Sequence, residues 1–440
     1  MSSTPRNSHL EAGIDDKIPA SEALTLGLQH GLSMNVYIGP MIIAGIVGLS
    51  TGQMSAVIQS TFIACGLAMI IQSKLMHLPV AQGASFIPIA AISGIALANG
   101  GGIAGWGVAM SAALVGALGL LLLGFSGLMD KFVNYFIPQI VGAVLLLCIG
   151  LSLMPAAVNN IYTAPQASVG QNLILGLVAI ISMVTATLLG NRLTGFAGKI
   201  CRIGSILITF LLGCVLAQFM GVLDLSPVAE APWFSLPMVM FKGFPFQFDL
   251  PSVLTMLVIY LLLLSESTGA WIALANASES ALSKDRINKG VVGEALGCLL
   301  TSFLGTSPVT GFSSNAGIIS LTRVASLPVF YYAGGLFILF GLSGKLSALI
   351  SVIPGAVIGG VFLVICGTIF LAGLQSLQNV EIKEKETFLI ALSVGTVVLI
   401  QYMPNDFLLS LPPVLQYFFG SPISVASIVA MALNKVLPEG

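Results

Sequence analysis

Charge is what this chain has least of. Its 440 residues include only 16 basic and 17 acidic side chains, 8% of the total, where a soluble domain carries about 25%. A water-facing surface needs polar cover, so a large soluble domain is excluded. The net charge of -1 provides no basic face, and nucleic acid is not an expected partner. Histidine is scarce too, with three in all, and the six cysteines (Cys65, Cys148, Cys201, Cys214, Cys298 and Cys366) are scattered without CxxC spacing. They read as small buried hydrophobes, so no disulfide, metal or cofactor is expected, nor the metal or nucleophile cluster an enzyme would need. The opening "MSSTPRNSHLEAGIDDKIPA" lacks the apolar core of roughly 7 to 15 residues that a signal peptide requires. The first span is therefore expected to stay as an anchor.

What the chain does have is apolar length, with 56% of its residues hydrophobic. Crossing the ~30 Å hydrocarbon layer takes about 20 apolar residues in a helix. Segments 22–48, 54–73, 103–124, 136–155, 168–190, 197–221, 252–277, 288–305, 328–345, 354–374, 385–402 and 418–437 are read as spans. Residues 78–98 and 306–323 start with Pro, Gly and Ser and turn helix-like only later. Counted as interrupted spans, they bring the total to fourteen. Lys and Arg concentrate in cytoplasmic loops. With the N-terminus inside, fourteen of the sixteen basic residues fall on one side, leaving Lys242 and Lys345 on the other. Both termini are then cytoplasmic.

Two echoes suggest an internal repeat. "IVGAVLLLCIG" (140–150) is matched by "VIGGVFLVICG" (357–367) at an offset of 217, and "PVAQGAS" (79–85) by "PVTGFSS" (308–314) at 229. They pair span five with twelve and span three with ten, giving two seven-span halves; the odd number inverts the second. Inverted repeats with matching Gly/Pro-interrupted segments point to a secondary transporter with a midplane site. Non-helical chain at that depth is tolerated only inside protein or beside a polar cavity. If each interruption leads into a half-helix, two helix N-termini meet in the middle, where free N–H groups can receive a ligand's carbonyl or anionic groups. The plainer reading is a pair of space-filling re-entrant loops.

Away from the span ends ionisable groups are few, and His30, Glu266 and Glu294 are the ones that lie inside spans. A charge at mid-bilayer costs ~2.5 to 3.5 kcal/mol on insertion scales, so each is a functional candidate. Glu266, in "LLLLSESTGAW", is the strongest and is a candidate proton carrier. His30 also fits a role as a hydrogen-bond link between helices, and Glu294 fits a solvated helix end near "SKDRINK".

"SNAGIISLTRVAS" (314–326) resembles the signature of the nucleobase-ascorbate transporter family (nucleobase:cation symporter family 2, xanthine/uracil permease-like), with Asn315, Gly317, Thr322 and Arg323 fitting its motif. Gln29 with His30, "GASF" from Gly83 to Phe86, and Glu266 in span eight also match it. The resemblance implies an all-α polytopic membrane protein of fourteen spans in two inverted repeats, with short β-strands in spans 3 and 10. Its divisions would be a cytoplasmic tail (1–21), core spans 1–4 (22–124), gate spans 5–7 (125–222), an extracytoplasmic loop (223–250), core spans 8–11 (251–348) and gate spans 12–14 (349–440). It further implies substrate contacts from Glu266, Phe86 and His30, from the backbone of Ala84 and Ser85, and from Ser313 to Asn315. Glu266 and Glu294 would carry coupling protons. The implied protein is a homodimer in the plasma membrane, bacterial inner membrane, that takes up a nucleobase with H+ or Na+ by alternating access.

Two positions depart from the pattern: Ser314 replaces the usual Gln or Glu, and Ala270 the polar residue often found one turn after Glu266. Both shorten the polar reach into the site. Glu294 stands where purine transporters often carry Asp, which favours xanthine, urate or guanine over uracil. A carrier of organic or inorganic anions on the same scaffold, sulfate-permease-like, is the alternative.

Overall fold

Long runs of Leu, Ile, Val and Ala leave the backbone no water to bond, and helix satisfies every N–H and C=O within one segment. The computed structural model describes residues 9–127, 135, 138–193, 197–198, 201, 204–378, 380–412, 415–416, 419–420 and 422–438. It is mostly helical. In chain order come α1 (Ala20–Leu32), α2 (Ile38–Val47), α3 (Thr51–Met76), β1 (Gln82–Ala84), α4 (Ile89–Ala98), α5 (Gly102–Phe125), α6 (Gln139–Thr163), α7 (Val169–Arg192), α8 (Ser205–Phe219) and α9 (Ser226–Glu230). The rest are α10 (Leu250–Ala277), α11 (Lys284–Phe303), β2 (Val309–Gly311), α12 (Ser314–Thr322), α13 (Leu327–Leu342), α14 (Gly344–Ser351), α15 (Gly355–Leu377), α16 (Glu384–Gln401), α17 (Asn405–Ser410) and α18 (Pro422–Val436).

Among the described residues, α3, α5, α6, α7, α10 and α15 are each long and apolar enough to cross a bilayer; α13 and α14, bent by 78°, make a seventh if taken as one span. Their starts are set locally. Ser50 with Gln53, and Ser168 with Gln171, form capping boxes that open α3 and α7, and Asp249 caps α10 through the Ser252 N–H. Each satisfies donors that a helix start leaves free.

The apolar segment 22–48 is not one helix. Residues 33–37 turn between α1 and α2, with Ser33 Oγ donating to the His30 carbonyl at 2.7 Å and Asn35 at φ 49°. The hydroxyl and the left-handed asparagine supply the turn inside a run whose hydrophobicity hides it.

Of the basic residues behind the sidedness reading, Arg6, Lys131, Lys199 and Arg202 lie outside the described residues. At one end of the helices the segment 9–16 runs along 323–327: Arg323 C=O accepts the Glu11 N–H (2.7 Å), Ser326 Oγ donates to the Asp16 carbonyl (2.6 Å), and His77 pairs with Asp15 (2.8 Å). The two exceptions, Lys242 and Lys345, belong to a different end, where Lys345 Nζ donates to the carbonyls of Val228 and Ala229 and Met240 N–H bonds the Phe303 carbonyl.

Helices pack through small residues, as they do where lipid removes the hydrophobic drive. A Cβ on Gly66 of α3 would stand 2.5 Å from Gly334 O of α13, and one on Gly334 2.6 Å from Gly66 O. The two helices that carry the longer sequence echo, α6 and α15, meet in the same way: a Cβ on Gly150 would be 2.7 Å from Phe370 N, and one on Gly373 2.8 Å from Leu147 N.

At the centre, β1 and β2 pair antiparallel, with Gln82, Gly83 and Ala84 opposite Gly311, Thr310 and Val309. Ser85 N–H to Pro308 O and Phe312 N–H to Ala81 O, both 2.9 Å, extend the ladder at each end. Buried backbone that is not helical thus finds its partners. A Cβ on Gly83 would meet the Phe312 ring at 2.6 Å and Val36 at 2.9 Å, so only glycine fits there.

Gly66→Val should separate α3 from α13 and lower stability by about 1–3 kcal/mol, whereas Gly45→Ala, with nothing within 4 Å of the added carbon, should leave it nearly unchanged. Thermal unfolding of the detergent-purified protein measures both.

Candidate functional site

Each strand leads into a short helix. After β1 the chain passes Ser85 to Pro88 into the ten-residue α4; after β2 it passes Phe312 and Ser313 into the nine-residue α12. Neither helix start has a side-chain cap. Among the described residues, the N–H groups of Ser313 and Ser314 have no backbone acceptor. Both residues are exposed and line a cavity of about 340 Å³. A helix start with free donors is suited to an acceptor on a ligand.

Glu266 of α10 lines the same cavity together with Phe86, Asn35 and Ala270. It also lines an adjoining cavity of about 640 Å³, walled further by Gly142 of α6, Ser376 of α15 and Ser427 of α18. Both volumes fall in the range of roughly 300–1,000 Å³ typical of small-molecule sites. The Glu266 side chain is half-buried. One carboxylate oxygen accepts a hydrogen bond from Ser85 Oγ at 2.8 Å, and the Thr310 hydroxyl lies within reach. Ser85 in turn accepts the Ile87 N–H on its Oγ at 3.1 Å. The acid is thereby held between the residue that follows β1 and the middle of β2 while it faces open space. Phe86 leans on Phe362 of α15, with ring centroids 5.9 Å apart and planes at 31°.

The other expected site residues fall into separate places. Asn315 and His30 are buried behind the wall, with His30 Nδ1 and Asn315 Oδ1 2.6 Å apart and the imidazole 4.7 Å from the Phe330 ring. This bond joins α1 to the start of α12. The main-chain groups of Ala84 and Ser85 are largely committed to the strand pair. Glu294 of α11 is fully buried, not at a solvated end. Gln82 and Ser267 lie beside it, yet neither carboxyl oxygen, nor either polar atom of the Gln82 side chain, has a hydrogen-bond partner of normal geometry. Gln29 is buried with its Nε2 likewise unpartnered.

Of the motif residues, Thr322 ends α12, its Oγ1 bonding the Ile318 carbonyl at 2.8 Å and accepting the Val324 N–H at 3.4 Å. Arg323 follows in the left-handed conformation (φ 59°), and Gly317 is exposed with open space around it. Gly83 belongs to β1, where the Phe312 ring leaves no room for a side chain.

Sequence reasoning did not single out the turn at 33–37, the α6 wall or Thr310. Thr310 lies inside the repeated "PVTGFSS" and Gly142 inside the repeated "IVGAVLLLCIG", so the echoes were the available signals.

Asn315→Leu would leave buried His30 without its partner, at a cost of about 1–3 kcal/mol. A lowered melting temperature without any ligand present is the expected result.

The family model described as Permease family (Xan_ur_permease) matches residues 21–405. Uric acid permease PucK of Bacillus subtilis is 32% identical over 425 residues, 94% of this chain and 95% of the relative. Nucleobase transporter PlUacP of Paenibacillus larvae is 31% identical over 431 residues, 96% and 95% of the two chains. The solved transmembrane domain of a cyanobacterium bicarbonate transporter, BicA, aligns with a TM-score of 0.60 at 12% identity, covering 88% of this chain and 98% of that one, and shares the fold. With a family model spanning most of the sequence and relatives aligned along more than nine-tenths of it, this multi-pass membrane protein belongs to the Permease family, Xan_ur_permease.

Proposed function

We propose that the protein is a secondary active transporter that takes up a nucleobase, with purines such as uric acid, xanthine or guanine preferred to uracil, together with protons. The observation that carries this reading is Glu266: an acid at membrane depth, held by Ser85 from a broken span, in the wall of a ligand-sized cavity, in a chain whose relatives are named for uric acid and nucleobases. A planar base has donors and acceptors on its edge. Glu266 accepts from its N–H groups, the free N–H groups of Ser313 and Ser314 donate to its carbonyls, and Phe86 offers an aromatic face.

Ala270 and Ser314 fit this scheme as a widening of the site. Ala270 is shared by the walls of both cavities, and the shorter side chains leave room for the larger ring system of a purine. Asn315, bonded to His30, sets the position of the α12 start. Ala84 acts through the β1 backbone. Glu266 and Glu294 are the proton-carrying groups, with H+ preferred to Na+ as coupling ion.

In this reading the fourteen spans form two inverted seven-span repeats. Residues 22–124 and 251–348 make the core, and 125–222 and 349–440 the gate. The core carries Glu266 and both half-helices; Gly142 and Ile369 stand across the cavities on the gate side. Movement of one against the other exposes the site alternately to each face of the plasma membrane, in a homodimer with cytoplasmic termini. No observation favours the anion alternative, since likeness to BicA at 12% identity speaks for the fold alone.

Thermal-shift measurements on the purified protein with uric acid, xanthine, guanine, uracil and sulfate test the substrate class. A bound purine at 100 times its Kd should stabilise by about 2.7 kcal/mol; stabilisation by sulfate alone would reverse the assignment. Glu266→Gln should abolish accumulation driven by a pH gradient, and uptake that still follows the gradient would remove Glu266 from the coupling.

A further inference from the structure

Glu266 meets the cavity, but Glu294 does not, and nothing in the transport scheme so far says how a proton would reach it. The residues between them offer a route. Ser267 Oγ and Thr310 Oγ1 are 2.7 Å apart, with either able to donate. Thr310 lies against Glu266, and Ser267 against Glu294. Both hydroxyls are buried.

The orientation of Ser267 is informative. A Ser or Thr within a helix ordinarily bonds back to the carbonyl four residues earlier, as Thr268 does to Leu264 at 2.7 Å. Ser267, its neighbour, instead turns across to the strand. Its partner Thr310 is the middle residue of β2, in register with Gly83.

We propose that Thr310 and Ser267 form a hydroxyl relay that passes a proton between Glu266 and Glu294, making Glu294 the inner of two proton sites. The proposal rests on the proton-coupled reading above. In the step, the Glu266 carboxyl proton moves to the Thr310 oxygen as the Thr310 proton moves to Ser267 and the Ser267 proton to the Glu294 carboxylate. Glu266 becomes the carboxylate, Glu294 the neutral acid, and rotation of the two hydroxyls resets the chain. No other bond changes.

The surroundings fit a shared proton. The titratable groups near Glu294 are Glu266 and Tyr260 from α10 and Cys298 from its own helix, with Cys65 of α3 behind Cys298. None is cationic. Two ionised carboxyls so placed would repel each other through a medium that screens little. Neither Glu294 oxygen has a hydrogen-bond partner of normal geometry, and Ser267 and Gln82 are the polar groups beside them, so the carboxyl has acceptor capacity for a proton from Ser267. Moving the proton inward leaves Glu266 ionised, the form that accepts a base's N–H, and so links proton entry to substrate binding.

The test uses the full chain in liposomes with radiolabelled uric acid. It compares exchange of external for internal label, which needs no net proton movement, with accumulation driven by an imposed pH gradient. In Ser267→Ala, exchange should persist within about twofold while accumulation falls by about tenfold or more, the lower range for loss of a proton-transfer group. Thr310→Ser, which keeps the hydroxyl, should retain accumulation. The relay is overturned if Ser267→Ala accumulates like the parent, if exchange and accumulation fall together in it, or if accumulation in Thr310→Ser is as impaired as in Thr310→Val. Absence of gradient-driven uptake in the unsubstituted chain would instead sink the symport reading itself.

Discussion

The arrangement depends on one constraint: backbone that leaves helical geometry inside a membrane must find its hydrogen bonds within the protein. Here the pairing of Gln82–Ala84 with Val309–Gly311 meets it. Three residues on each side suffice because Ser85 and Phe312 add bonds at either end. Once the strands are joined, α4 and α12 must begin at the centre of the molecule, and their starts cannot be buried in neighbouring helix. The cavity follows from that placement, and so does the bare glycine at position 83, where a side chain would strike the Phe312 ring.

The same strands organise the polar groups around α10. Ser85, directly after β1, holds Glu266, Thr310 meets Ser267 from β2, and Gln82 of β1 lies beside Glu294. Helix packing around this centre is tight where glycines let backbones touch, at Gly66 with Gly334 and along α6 with α15. Close packing makes the framework stiff. Among the described residues, the buried polar atoms left without a hydrogen-bond partner of normal geometry include both carboxyl oxygens of Glu294 and both polar atoms of the Gln82 side chain.

The membrane character of the chain was legible at once, since composition and apolar length report it directly. Glu266 was legible for a related reason: a lone acid in "LLLLSESTGAW" has no structural excuse. The breaks near residues 79–85 and 308–314 showed because Pro, Gly and Ser replace the helical pattern there. The break at 33–37 did not, because Met34, Val36 and Tyr37 keep the hydrophobicity high through the turn. Glu294 was a candidate with a solvated helix end as its alternative reading, taken from its distance to "SKDRINK", but distance along the chain does not report which side of α11 faces inward. His30 and Asn315 looked like separate features, and only the fold shows that they are bonded to each other. The wall contributed by α6 and α15 was hard to pick out because, Thr368 and Ser376 apart, its residues are apolar or glycine.

The central claim is that a base and a proton move together through the site at Glu266. It is tested most directly by recording lumenal pH with a trapped dye while uric acid is added outside sodium-free proteoliposomes that have no imposed gradient. Acidification of the lumen that begins with the addition, and is absent from protein-free vesicles, is the predicted result; uric acid uptake with no accompanying proton movement would contradict it.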